Sequence, residues 1–422
     1  MLFVAPAGAA GSGSKLWRSF YDAGGVQSAA NATAASPDGT KVFVTGSADG
    51  APGEGRNYAT VAYNASTGAQ LWVATFTSTL NGAPVPYDDV AYAVAVSRDG
   101  TKVYVTGKSR GAFVTIAYNT TTGARVWQRL YTAVGPATAI TVSPDGSAVF
   151  ITGDGTNATP NQPYDFATVA YNAVTGTTLW FSTFNGAANM NDYARDITVT
   201  PDSSRVIMTG YDDDRYVTIA YEATTGAQLW ISLFNPVNFA VQAYSIAMSP
   251  DGSFVAVTGQ AGTIAYDTMT GAQRWATGSD VHGWVGVAVA PDATRVYVTG
   301  NYLTVAYAAD TGNTLWASTY DGPAQGSGNS VALDVSDDGN KVVVTGTSSG
   351  GPYLSFDYAT IAYDATTGAQ SWVTRHNFVS LQSNDQARAM TIVPGANTVV
   401  VTGNRVPGPF SDLDFATAAI AL

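Results

Sequence analysis

Ser36-Pro37-Asp38-Gly39-Thr40-Lys41-Val42-Phe43-Val44-Thr45-Gly46 is followed, after twelve intervening residues, by Ala59-Thr60-Val61-Ala62-Tyr63-Asn64-Ala65-Ser66-Thr67-Gly68-Ala69-Gln70-Leu71-Trp72. Both blocks recur along the chain. The first ends at Gly46, Gly107, Gly153, Gly210, Gly259, Gly300, Gly346 and Gly403. The second gives the pairs Tyr63/Trp72, Tyr118/Trp127, Tyr171/Trp180, Tyr221/Trp230, Tyr266/Trp275, Tyr307/Trp316 and Tyr363/Trp372, each nine apart. The mean period is about 51 residues, and a fixed period near this length marks a solenoid or a propeller.

Each repeat reads as four short strands. Strand A is a small apolar run such as Ala93-Val94-Ala95-Val96, followed by a Pro-Asp-Gly type turn. Strand B is Val103-Tyr104-Val105-Thr106, strand C is Thr115-Ile116-Ala117-Tyr118, and after a Thr-Gly turn strand D ends in Trp. The residues are β-branched or aromatic and the runs are bounded by turn formers. Small side chains on A suit strands that converge on an axis, and Trp on D suits blades that diverge. The chain ends with a strand C, Phe415–Leu422, and begins with a strand D at Ser14-Lys15-Leu16-Trp17. The expected fold is therefore all-β: an eight-bladed β-propeller of four-stranded antiparallel blades. The N-terminal strand D completes the last blade and closes the ring.

Composition narrows the function. The 422 residues carry 19 Lys and Arg against 31 Asp and Glu, a net charge of −12, which argues against nucleic acid and anionic membranes as partners. No stretch reaches the roughly 20 apolar residues of a membrane span. Cys is absent and there are two His, so thiolate chemistry and three-histidine metal sites are excluded. Residues 1–12, with the small-residue pattern Ala7-Gly8-Ala9, read as a signal-peptide remnant or a disordered tail. Residues 13–422 read as one domain, and the protein as secreted or periplasmic.

The block Ala362-Tyr363-Asp364-Ala365-Thr366-Thr367-Gly368-Ala369-Gln370-Ser371-Trp372 resembles the tryptophan-docking motif of pyrroloquinoline-quinone (PQQ) propellers, as do Ala265, Asp267, Thr270, Gly271 and Trp275. The repeats also look like those of secreted bacterial β-propellers. The resemblance implies eight blades. It does not imply quinone chemistry: the adjacent cysteine pair common beside that cofactor is absent, and no residue aligns with the family's calcium ligands or catalytic carboxylate. Assembly-scaffold relatives keep the fold without a cofactor. No cofactor is expected, and calcium alone stays open.

The B–C connection varies from 7 to 18 residues between the strand-B Gly and the strand-C Tyr position, whereas the A–B and C–D turns are constant. Variable loops on a rigid scaffold are where binding is built. They share one face, low over blades 4, 5 and 6 and high over blades 7, 8, 1 and 3. Two positions at the start of strand A carry polar side chains. Asn31, Tyr92, Arg195, Tyr244 and Arg388 hold the entry position, and Asp89, Asp192, His282 and Asp385 lie three residues upstream. With Trp284, this set suits a polar ligand such as a glycan at the channel mouth. Asp212-Asp213-Asp214 is a weak calcium candidate without EF-hand spacing.

Three functions compete: an exported non-catalytic binding or scaffold propeller, recognising a polar ligand or a protein on the loop face; a secreted carbohydrate-active lyase or hydrolase; and a quinone- and calcium-dependent dehydrogenase relative. The first is preferred, because no catalytic signature accompanies the repeat.

Overall fold

The structure, a computed structural model, describes residues 11–24, 27–51, 54–80, 83–84, 86–132, 135–155, 163–186, 190–212, 214–235, 241–278, 283, 285–323, 328–349, 356–378, 384–406 and 413–422. Residues 1–10 of the 1–12 segment read as a signal-peptide remnant or tail lie outside this set, while Ser12 Oγ donates to Leu422 O at 2.9 Å. Eight four-stranded antiparallel sheets make up the molecule, with no helix among the described residues.

Strands are lettered A to D from the axis outward. Blade 1 comprises Ser28–Ala35, Lys41–Asp49, Arg56–Asn64 and Gln70–Phe76, and blade 2 comprises Val90–Val96, Lys102–Ser109, Ala112–Asn119 and Arg125–Tyr131. The A strands of blades 3 to 8 are Ala137–Val142, Tyr193–Val199, Ala243–Met248, Gly286–Val289, Gly328–Val335 and Gln386–Val393. Consecutive A strands touch one another around the whole ring. The last blade is closed by Lys15–Tyr21, which pairs antiparallel with Asp414–Ala421 as expected.

Neighbouring blades are fastened by the repeated Trp. Its indole N–H donates to a backbone carbonyl in the C–D turn of the next blade: Trp17 to Ala65, Trp72 to Thr120, Trp127 to Ala173, Trp180 to Ala223, Trp230 to Thr268, Trp275 to Ala309 and Trp316 to Ala365, at 2.7–3.2 Å. Each ring lies on the glycine of that turn. At Gly226 a Cβ would stand 2.5 Å from the Trp180 ring, and φ is +72°. Glycine is thus required twice over, by the left-handed backbone and by the ring. Asp364 shows why the motif wants Asp or Asn at the start of the turn: its Oδ1 accepts from the N–H groups of Thr366 and Thr367 and from the Thr367 hydroxyl.

The seam is the exception. Trp372 finds no acceptor among the described residues, because the turn it would dock on is split between the two chain ends. Gly13 takes the place of the eighth docking glycine, with its Cβ position 3.0 Å from Trp372, and its carbonyl accepts from Thr374 Oγ1 at 2.5 Å.

One expectation needs correction. Strand D does not end in Trp: Trp72 is the third residue of Gln70–Phe76. The strand continues because its last residue also packs inward, Phe76 lying edge-on to Tyr58 at 5.4 Å.

Inside every blade the Thr of V-T-G meets the strand-C Thr hydroxyl to hydroxyl, from Thr45–Thr60 at 3.0 Å to Thr402–Thr417 at 2.9 Å. These paired hydroxyls satisfy one another where water is excluded.

Gly226→Ala should therefore destabilise the protein more than Gly146→Ala. Gly146 has φ +74° but no heavy atom within 4 Å of its Cβ position. The expected costs are about 1–2 kcal/mol for Gly146→Ala, from backbone strain alone, and about 1–3 kcal/mol more for Gly226→Ala, from displacing the Trp180 ring. Urea denaturation of the two variants checks the difference.

Candidate functional site

The entry position has a specific backbone origin. In blades 1–5, 7 and 8 the A–B register slips by one residue at Asn31, Tyr92, Thr138, Arg195, Tyr244, Val331 and Arg388. A β-bulge re-aims the side chain it carries, and these residues are half-buried or exposed at the start of the innermost strand.

The upstream aspartates are placed differently. Asp89, Asp192 and Asp385 are buried at 0–1% exposure. Each ties the D–A connection together, accepting from the N–H of Ser78, Gly186 and Phe378 respectively at 2.5–2.9 Å. Their own N–H groups donate to the carbonyls of Arg56, Tyr164 and Phe356 in the preceding blade. Asp192 is pushed up to about 6, first by burial and then by the neighbouring Asp212 and Asp165 carboxylates. His282, Trp284 and Asp213 lie outside the described residues. Asp212 is buried and accepts from Arg215 Nε at 2.8 Å, while Asp214 is exposed. Among the described residues no three His, Asp or Glu side chains stand where they could hold a metal ion.

Arg195 and Tyr244 are brought together; Tyr92 and Arg388 are not. Tyr92 sits on blade 2 beside the Arg56–Asp88 ion pair, and Arg388 on blade 8 donates to Gln386 Oε1 at 3.1 Å. The Arg195 guanidinium lies 5.1 Å from the ring centres of both Tyr193 and Tyr211. It donates to the Tyr211 hydroxyl at 2.8 Å and approaches Asp154 Oδ2 at 3.7 Å. Tyr193 and Tyr211 are cross-strand partners with ring centres 5.1 Å apart. On blade 5 the Tyr244 hydroxyl donates to Gln242 at 2.7 Å and accepts from Gln260 Nε2 at 3.0 Å. Its electrostatic neighbours are Tyr211 and Arg195.

The result is a patch of three tyrosines, two amides, one fixed guanidinium and one carboxyl group. It lies where the B–C connections shorten, from nine residues between strands in blade 3 to four in blade 4 and two in blade 5. Asp154 is only 5% exposed, and burial pushes it up to about 7 against the opposing pull of Arg195. Aromatic faces with fixed donors and acceptors recognise polar rings and planar groups. Arg195 keeps N–H donors beyond its one close bond to Tyr211, the fork geometry that binds carboxylates.

Sequence reading found Arg195 and Tyr244 and missed Asp154, Tyr193 and Tyr211. Asp154, Tyr211 and Gln260 share a column, the residue immediately after the strand-B Gly, so the repeat alignment held a signal. It also missed two carboxylates on the innermost strands. Asp196 accepts from the Ile246 N–H of the next blade at 3.0 Å, and Asp334 accepts from Val335 N–H at 2.8 Å; burial pushes each up to about 6.

Eight Trp-docked blades around a polar, aromatic-lined mouth define a PQQ-type repeat propeller. A family model described as outer membrane protein assembly factor BamB matches residues 5–204, 110–276, 213–355 and 261–408. The chain belongs to that family. No curated protein matches the sequence. Among solved structures, the C-terminal WD40 domain of Sif2 is 11% identical with a TM-score of 0.63, covering 98% of this chain and 100% of that one. Sqt1 of Chaetomium thermophilum, bound to the N-terminus of the ribosomal protein L10, is 12% identical with a TM-score of 0.69, covering 96% and 98%. At these identities the likeness is one of fold. No helix among the described residues is long and apolar enough to cross a membrane.

The raised carboxyls set a pH dependence. Asp154 near 7, and Asp192, Asp196 and Asp334 near 6, bind protons more tightly folded than unfolded. Their contribution is fully present below about pH 4 and is lost as pH rises through 6 and 7. Buried His376, lowered to about 4, opposes them over part of that window. Asp154→Asn isolates one carboxyl. Its melting temperature relative to the parent should rise between pH 5 and pH 8, and melting curves across that range check the sign.

Proposed function

We propose that this chain is an exported, non-catalytic binding propeller, which recognises a polar, glycan-like ligand or a polar protein segment at the mouth over blades 3–5. The observation that carries the reading is the Arg195 cluster, a guanidinium held between two tyrosine rings on the low side of the variable-loop face. Membership of a family described by an outer-membrane assembly factor supports an exported location and a scaffold role. The net charge of −12 favours neutral or locally anchored anionic ligands over polyanions. The reading invokes no cofactor. A propeller of similar fold carries the N-terminus of a ribosomal protein, which supports peptide segments as alternative occupants.

The test is a thermal-shift series with soluble polysaccharides. A ligand at 100 times its Kd adds about 2.7 kcal/mol to stability. The shift should vanish in Arg195→Ala and in Tyr193→Ala, with no sugar released. One observation favours a second reading, a glycan-cleaving site. Asp154 near 7 has the proton affinity of a general acid. Release of reducing ends, lost in Asp154→Asn, would favour that reading.

A further inference from the structure

Away from the mouth, an elongated groove of about 600 Å³ runs down the outer side of blade 2 against the D–A connection that follows blade 1. That connection carries the short hairpin Thr79–Leu80 with Ala83–Pro84. One wall is Thr77, Ser78 and Thr79, held in place by the buried Asp89 behind Ser78. The floor is the cross-strand pair Val114 and Leu130.

Two cations stand over that floor. Arg110 projects from the B–C turn of blade 2, in a left-handed conformation with φ +51°, and its Nη1 reaches Thr79 O at 3.4 Å. Arg125 starts strand D and extends three residues along it to Gln128 Oε1, at 2.7 Å. The two arginines start from opposite ends of the groove, Arg110 before strand C and Arg125 opposite Tyr118 near its end, and both side chains line it. Each has one polar contact of its own and N–H donors left over. In a chain of net charge −12, no Asp or Glu is among the described residues that line the groove. Asp89, behind the Ser78 wall, is buried, and burial raises its pKa against the hydrogen bonds from Ser109 and Ser78.

We propose that this groove is a second binding site, for a short acidic glycan whose carboxylates reach Arg110 and Arg125. The hydroxyls of Thr77, Ser78, Thr79 and Ser109 and the Gln128 amide offer the neutral hydrogen bonds that sugar hydroxyls use. Phe76 and Leu130 supply apolar contact for a ring face. Five neutral hydrogen-bonding side chains beside two cations suit the hydroxyls and carboxylates of an acidic sugar, and a glutamate peptide tests the strand-D edge, Arg125–Tyr131, as a rival recognition surface.

Isothermal titration of the full chain with trigalacturonate tests it, with neutral maltotriose, inorganic sulfate and a glutamate tripeptide as comparison probes. Arg110→Asn suits the left-handed backbone and Arg125→Gln keeps the length, and melting curves confirm that both variants fold. The expected result is saturable binding of trigalacturonate, weakened about tenfold by each substitution. Raising salt from about 50 to about 500 mM should weaken it further, and any binding of maltotriose should be unaffected by Arg110→Asn and Arg125→Gln. Unchanged affinity in the double variant overturns the proposal, as does binding of sulfate without trigalacturonate. Tighter binding of the glutamate peptide assigns the groove to acidic protein segments and overturns the glycan. Loss of trigalacturonate binding in Arg195→Ala, with none in the groove variants, places the ligand at the mouth instead.

Discussion

Every blade depends on one contact, a tryptophan ring laid on the glycine of its neighbour's C–D turn, with the indole N–H bonded to that turn everywhere but at the seam. The contact joins sequence-local and long-range order. The glycine must hold a positive φ to make the turn, and its lack of a Cβ lets the ring come close. A blade alone is a twisted four-stranded sheet with two apolar faces. It becomes stable only when both faces are covered, and in a closed ring each blade covers the next. The rings are 6–8% exposed in blades 1 to 6, so the burial is nearly complete, at roughly 150–250 Å² for each Trp. The seam shows how much of this can be relaxed. There the indole N–H has no acceptor among the described residues, while the glycine under the ring and a threonine-to-carbonyl bond are kept.

A ring locked in this way leaves the opposite face free. The A–B and C–D turns lie on the side where docking occurs and cannot vary without disturbing a neighbour. The B–C and D–A connections carry no such duty, and their lengths drift from blade to blade. Some of their polar residues are nonetheless structural. Asp89, Asp192 and Asp385 close the D–A connections through backbone N–H groups and never face solvent. The bulge residues beside them do face the mouth, because the extra residue in strand A turns their side chains out of the blade.

The fold was legible because the pattern repeats eight times and each element of it has one structural use. Even the closure could be read, from a strand C without a D at one end and a strand D without its partners at the other. The Gly13-to-Trp17 spacing, which repeats the docking motif across the seam, was there to be read too. The candidate site was half legible. Arg195 and Tyr244 stood out with Asn31, Tyr92 and Arg388 as a column of polar side chains at the start of strand A. Their partners did not, because Asp154 and Tyr211 belong to strand B of two different blades, and no spacing along the chain announces that both meet Arg195.

What the sequence determined by itself is the number of blades, their strand order, the docking Trp and Gly, and the face that carries variable loops. All of these are local or periodic properties, and periodicity survives projection onto one dimension. What only the tertiary structure decided is which polar residues share a site. Curving eight sheets around an axis brings strand starts of adjacent blades within hydrogen-bonding reach across about 50 residues of sequence. Burial then sets their chemistry. Asp154 and Asp89 are the same residue type at loop-face positions. One ends beside an arginine between tyrosine rings, the other beneath a serine amide, and the surrounding blades alone make that difference.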